Sequence, residues 1–431
     1  MLKPFLLRAL FSLSLLVLLY SAWLSWQSAY LVSKIKHGNL SELIEEFNQG
    51  GLPILLMEPV KELLYRAQSQ PDVDAYAALE LLDEYLHRRP LDANGWLIGS
   101  RFYQRVGDYE NASGYLSVAH RLSETNIPIL FKVFNHYLEL GLIDEAMPVA
   151  HDIVVARPKE FRRLFYLLSR LSEDYVRIVD EVIPKYVSSS TNLDSLGGDQ
   201  LYFNWALVDA IKVKNTLLAK AVWQAMPQTS KRNNKFGLRL LNYLIRESEN
   251  NYAKNVWFDL LGKQPQVGEV NEMHWDAVSP CWSMREVSGV EASFDVLDLQ
   301  INSIKLKFLG ENNIAYNHLS CLVLVESDRQ YTLSGRSKGE DISTLSGLFV
   351  DIIFPGPGSK KSIVRSDALI GSWPWTNFEL NFKVPAETMF AVIRVRRSRT
   401  NLLDSKISGS VWFSGFTLDE MAPQTEGVIN E

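Results

Sequence analysis

Few residues in this 431-residue chain have the types and spacing that catalysis requires. Glu340 and Asp341 offer a carboxylate pair for glycoside hydrolysis, but neighbours on a strand or turn point apart and cannot flank one bond. There is no G-x-S-x-G elbow, no H-E-x-x-H, no Gly-rich phosphate loop and no dinucleotide fingerprint. Pro355-Gly356-Pro357-Gly358 is a turn, since prolines lack the amide hydrogens that cradle phosphate. The histidines are scattered, and His136 and His151 fall on expected helices as surface or packing residues. Cys281 and Cys321 lie far from any CxxC or Cys/His cluster, which argues against a zinc site. They would pair if the chain is exported. The position of Cys321 inside a strand-like run favours two buried thiols instead. No enzyme, metal or cofactor is expected.

Binding chemistry is easier to place. Trp373 and Trp375 sit in an expected loop, Gly371–Thr376, where exposed rings can pack against the C–H faces of a pyranose. In the run Ala391–Arg396, alternation puts Ile393 and Val395 on one face and Arg394 and Arg396 on the other. Two guanidinium groups on one face can hold an anionic sugar through paired hydrogen bonds. The bland alternative is that the tryptophans plug the end of a sandwich and the arginines form a solvated outer face.

The elements that must carry these residues follow from pattern. Composition is ordinary, 47% hydrophobic and 22% charged, so no large part need be disordered. A net charge of −6 argues against nucleic acid as a partner. Tyr103, Gly107 and Ala112 recur 34 residues on as Tyr137, Gly141 and Ala146. With Trp96, Asp108, Ala119 and Pro158 in the same register, units 93–126 and 127–160 resemble the tetratricopeptide (TPR) pattern of paired antiparallel helices. The register extends back to Ala78 and Pro90 and fades beyond Pro158; after a polar break a 34-residue spacing reappears between Ala219 and Ala253, with Pro265 closing the last helix. The expectation is a TPR-like α-solenoid over 37–266, stable only through stacking of its hairpins. In TPR arrays the first helix of each pair lines a groove. The resemblance assigns partner contacts to Leu97, Arg101, Gln104 and Arg105, and to Phe131, Asn135, Leu138 and Glu139. That mixture suits a peptide segment, although Leu97 and Phe131 equally suit packing between hairpins.

Before the repeats, Lys3 and Arg8 precede an uncharged run from Ala9 to Trp26. Such a run is long enough for a membrane helix, and 1–36 reads as a retained signal anchor rather than a cleaved peptide. A short basic tail inside would place the bulk of the chain outside the inner membrane, in a periplasm if the source is bacterial.

From residue 268 the period changes to two. Alternating runs at Leu297–Phe308, Cys321–Val325, Gln330–Ser334, Leu348–Phe354, Asn377–Val384, Ala391–Arg396 and Val411–Leu418 predict an antiparallel β-sandwich over 268–420, with a loose tail at 421–431. Several pieces are similar to the jelly-roll, galactose-binding-like modules found among carbohydrate-binding domains. They are His318-Leu319-Ser320, Tyr331-Thr332-Leu333-Ser334, Lys338-Gly339-Glu340, Trp375-Thr376-Asn377-Phe378, Phe382-Lys383-Val384-Pro385 and Ile407 to Phe413. Where many such modules carry paired aspartates for calcium, this chain has Trp412-Phe413-Ser414-Gly415-Phe416, so the resemblance does not extend to that metal.

An anchor, α-helical repeats and an all-β module together resemble accessory proteins of bacterial exopolysaccharide or cell-envelope assembly. The implied role is a non-catalytic scaffold, with a protein partner in the groove and a polysaccharide on the sandwich. A glycan-processing enzyme with an unrecognised site, and a purely structural envelope protein, are the competing readings.

Overall fold

A computed structural model describes residues 14–27, 29–30, 33, 57–68, 73–184, 198–232, 234–261, 282–296, 302–356, 364–401 and 405–421. The chain divides into two compact units, Met1–Tyr202 and Phe203–Glu431.

The first unit is helical. Its main elements are α1 (Met57–Ala67), α2 (Ala75–Arg88), α3 (Ala93–Arg105), α4 (Tyr109–Arg121), α5 (Ile127–Glu139), α6 (Ile143–Ala156), α7 (Phe161–Leu171) and α8 (Tyr175–Val182). The 34-residue register survives in the helix boundaries: α3 and α5 begin at Ala93 and Ile127, α4 and α6 at Tyr109 and Ile143. Gly107 and Gly141 end α3 and α5 with φ of 79° and 74°. A side chain there would meet no neighbour, so backbone angle alone demands glycine. Asp108 then caps α4 by accepting from the Asn111 amide at 3.0 Å. Ala78, Ala112 and Ala146, equivalent positions one repeat apart, are each 0% exposed where paired helices touch.

Residues 14–27 are helical as well. Leu24 packs against the core of α1 and α2, while Leu15 to Leu19, Trp23 and Trp26 are exposed. Among the described residues no helix is long and apolar enough to cross a membrane. The expected membrane helix over 1–36 lies only in part within the described residues, and finds no support there.

The second unit begins within α9 (Gly198–Lys212) and continues through α10 (Thr216–Ala225), α11 (Lys235–Arg246) and α12 (Asn250–Leu261). Ala219 and Ala253 again carry no exposed surface. Among the described residues ten strands follow: β1 (Trp282–Met284), β2 (Val290–Val296), β3 (Asn302–Leu309), β4 (Tyr316–Leu324), β5 (Gln330–Ile342), β6 (Phe349–Ile353), β7 (Val364–Arg365), β8 (Gly371–Lys383), β9 (Phe390–Arg397) and β10 (Ser408–Glu420). They form two antiparallel sheets, ordered β1-β4-β9-β6-β7 and β2-β3-β10-β5-β8. The inward sets close one core, with Ile304, Leu306, Val323, Leu333, Val350, Ile393, Val395, Val411 and Phe413 at its centre. On the opposite side of β9, Phe390 stacks on Trp257 of α12, with ring centroids 5.7 Å apart.

Two expectations need correction. Gly371–Thr376, read as a loop, is the first half of β8. Glycine and proline suggested a turn, but β8 is an edge strand, where a missing amide hydrogen is tolerated. Cys321 is disulfide-bonded rather than a buried thiol. The sequence reading missed β1, whose pairing with β4 sets Trp282 opposite Cys321. Cys281, the other cysteine, lies outside the described residues.

Candidate functional site

The best-formed recognition surface is the outer face of the sheet that ends in β8. Along β5 the inward positions are Tyr331, Leu333, Gly335, Ser337 and Gly339, which leaves Thr332, Ser334, Arg336 and Lys338 outward. The ladder between β5 and β8 slips between the Ser337–Thr376 and Gly339–Trp373 pairs. This bulge sends the two tryptophans to opposite faces. Trp373 turns inward, donates from Nε1 to the Ser337 hydroxyl at 3.2 Å and lies flat on Gly339. Any side chain at Gly339 would collide with its ring, since even a Cβ would stand 2.1 Å away. Trp375 turns outward and is half-buried, with the Arg336 guanidinium 5.2 Å from its ring centroid.

From Trp375 the outward side of β8 continues through Asn377, Glu379 and Asn381, all exposed. Asn377 stands opposite Arg336, and Asn381 accepts from the Thr332 hydroxyl at 2.7 Å. The surface thus pairs an aromatic plane with a row of amide, hydroxyl and guanidinium groups, the combination that suits C–H faces and hydroxyls of a sugar chain. Deeper on the same face, Trp412 is buried, with the ammonium groups of Lys305 and Lys338 4.7 and 4.9 Å from its centroid.

Arg394 and Arg396 lie on the other sheet. The expected alternation is present, for Ile393 and Val395 enter the core and the arginines face outward. Arg394 is engaged by Asp351 of β6 in a bidentate pair, Nε and Nη2 donating at 2.8 and 2.6 Å. Arg396 stands 3.6 Å from the same carboxylate. The four residues proposed for sugar binding therefore do not converge: Trp375 faces out from one sheet, the arginines from the other, and Trp373 points inward.

In the helical unit α3 and α5 lie side by side, as the repeat requires. Arg101 pairs with Glu139 at 3.3 Å, and Gln104 meets His136 Nε2 at 3.0 Å. Arg105 reaches across to the carbonyls of Ala67 and Val73, at 3.3 and 2.9 Å. Leu97 is buried, Phe131 and Leu138 are half-buried, and Asn135 is exposed. Much of the expected groove chemistry is thus spent on holding neighbouring hairpins together.

His136 has no exposed surface, and its Nδ1 lacks a partner among the described residues. Burial, aided by the nearby Arg101 charge, lowers its pKa to about 4. The unfolded chain then binds the proton more readily than the folded one, so stability is complete above pH 6.5 and falls as the pH drops toward 4. The full loss is about 3 kcal/mol. Thermal melts of the parent and His136→Asn at pH 7 and pH 4.5 check this; equal slopes with pH would remove His136 as the cause.

No protein-family model matches the chain, and no curated protein does. Among solved structures it is similar to a CBM4 module, at TM-score 0.26 and 12% identity over 35% of this chain and 94% of that one. A second likeness is to a CBM6 module of Cellvibrio mixtus lichenase 5A in complex with cellotriose, at TM-score 0.21 and 12% identity, covering 32% and 93%. A third is to the CBM22-1 xylan-binding domain of Paenibacillus barcinonensis Xyn10C, at 0.23 and 8%, covering 36% and 96%.

Proposed function

We propose that this chain is a non-catalytic scaffold of a bacterial cell envelope that binds polysaccharide along β8. The observation that carries the reading is the outward Trp375, set beside Arg336 at the head of the Asn377–Glu379–Asn381 row. An edge strand with one aromatic plane and repeating polar groups fits an extended polymer better than a compact metabolite. The TPR-like helices hold a protein partner, with Phe131, Asn135 and Leu138 the groove positions neither buried nor committed to the pairs above. The exposed apolar helix at 14–27 belongs to an anchor in the inner membrane, and the disulfide of Cys321 suits a periplasmic location.

The test is affinity electrophoresis of the full chain through gels containing soluble neutral or anionic polysaccharides. Trp375→Ala should weaken retardation by about tenfold, the ~1.4 kcal/mol expected of a lost aromatic contact. Trp373→Ala is an inward control that affects stability first. Retardation that survives Trp375→Ala unchanged, or none in any polysaccharide, would sink the reading.

A further inference from the structure

The outer face that carries Trp375 continues inward across its sheet, and its chemistry changes on the way. In the ladders, Trp412 of β10 stands directly opposite Lys305 of β3 on one side and Lys338 of β5 on the other. All three side chains point away from the core, because their strand neighbours Ile304, Leu306, Val411 and Phe413 enter it and Ser337 is buried. Trp412 nevertheless keeps only 5% of its surface exposed. The two lysines cover it, with ammonium groups 4.7 and 4.9 Å from its ring centroid. Both charges therefore meet over one side chain, and their stems are already packed on the indole before any ligand arrives.

Charge on this face is unbalanced. Lys338 pairs with Glu340 at 2.7 Å, and Lys307, the next outward residue of β3, pairs with Glu291 at 3.0 Å. Lys305 and Arg336 have no ion-pair partner among the described residues; Lys305 lies over Trp412 and Arg336 over Trp375. A row of three cations thus runs from Arg336 and Lys338 on β5 over Trp412 to Lys305 on β3. Glu379 of β8 stands opposite Ser334, one outward position beyond Arg336 and away from this row. The chain as a whole carries a net charge of −6, so the local excess of cations runs against the overall charge.

We propose that the polysaccharide held at Trp375 is anionic and continues from there across the sheet, its carboxylate or sulfate groups accepting from Arg336, Lys338 and Lys305. The inference rests on polysaccharide binding at Trp375 and adds the class of polymer and its path. An anion between Lys338 and Lys305 relieves the repulsion of two ammonium groups gathered on one ring, which a neutral hydroxyl cannot do. β5 and β3 are two strand spacings apart, about 10 Å, a span that a disaccharide covers, so successive charged sugars meet the two lysines. Glu379 repels anions on the β8 row, so the charged units lie on the cation side of Trp375.

The experiment is biolayer interferometry of the full chain on surfaces carrying hydroxyethylcellulose, polygalacturonate or dextran sulfate. At least one polyanion should bind the parent more tightly than the neutral polymer, and the tighter of the two tells carboxylate from sulfate. Lys305→Gln should weaken that binding about fivefold, the upper end for an exposed ion pair, and leave binding to hydroxyethylcellulose unchanged. Lys305→Arg, which keeps the charge, should restore the parent affinity. Lys254→Gln, the same loss of charge at an exposed position of α12, should change nothing. The inference is overturned if hydroxyethylcellulose binds as tightly as both polyanions, or if Lys305→Gln behaves like Lys254→Gln. Polysaccharide binding at Trp375 then still stands on the outcome for Trp375→Ala, whereas binding to none of the three surfaces overturns both.

Discussion

Arg397→Met should lower the unfolding free energy of the sandwich by about 4 kcal/mol, because it removes a buried guanidinium that donates to several acceptors at once. Arg397 ends β9 and is 1% exposed. Its Nε donates to the Ser346 carbonyl at 2.8 Å, Nη1 to the Ile314 carbonyl at 2.5 Å and to Asn313 Oδ1 at 3.3 Å, and Nη2 to the Ser405 carbonyl at 2.8 Å. One planar fork therefore ties together the β3–β4, β5–β6 and β9–β10 connections. Methionine fills similar volume but gives these acceptors nothing, and the Ile314 carbonyl among them is buried. Asn313 would remain bonded to Thr400, through its Nδ2 to the Thr400 carbonyl at 2.7 Å, so the damage should centre on Ser346, Ile314 and Ser405. Urea unfolding followed by tryptophan fluorescence measures the loss. The control is Arg396→Met, one residue away on the outer face, whose partly exposed ion pair should be worth no more than about 1 kcal/mol. Equal, mild effects of the two substitutions would show that the fork holds little.

The position of Arg397 was legible in principle. Alternation through Ala391, Ile393 and Val395 carries on to residue 397, so a basic residue there had to be either buried or at the strand's end. Other features were readable because they are local. The alanines at one repeat position and the glycines that end α3 and α5 answer to neighbours within the same hairpin or to a single backbone angle. What escaped depends on distant partners. Pro374 between Trp373 and Trp375 is compatible with a bulge, but the slip that separates their faces arises from pairing with Ser337 and Gly339 on β5. Residues two apart on a regular strand share a face, and that expectation fails only where the ladder slips. β1 has only three residues and shows no period, whereas Val290, Ala292, Phe294 and Val296 of β2 alternate and were readable, although the expected strands begin later, at Leu297. Likewise Arg394 and Arg396 look like free cations until β6 brings in Asp351.

That last pairing carries the second large effect. Asp351→Ala is expected to cost about 4 kcal/mol, since removing one partner of a buried ion pair leaves its charge uncompensated. Asp351 is 0% exposed and Arg394 stands directly opposite it across the β6–β9 ladder, while Arg365 faces it from β7. With the carboxylate gone, Arg394 and Arg396 would crowd one face without the anion that now draws both. The double substitution Asp351→Leu with Arg394→Met removes both charges and should recover most of the loss, because a packed apolar pair is often as stable as the ion pair it replaces. A cycle of Asp351→Leu, Arg394→Met and the double, read by urea unfolding, gives the coupling directly. Coupling below about 1 kcal/mol would mean the pair behaves as a solvated surface bridge. The same variants bear on ligand binding. If Arg394 is spent on Asp351, Arg394→Met should destabilise the sandwich yet leave retardation by polysaccharide intact, provided the assay is run well below the variant's melting temperature. Lost retardation in a folded Arg394→Met protein would move the binding surface from β8 to the opposite sheet.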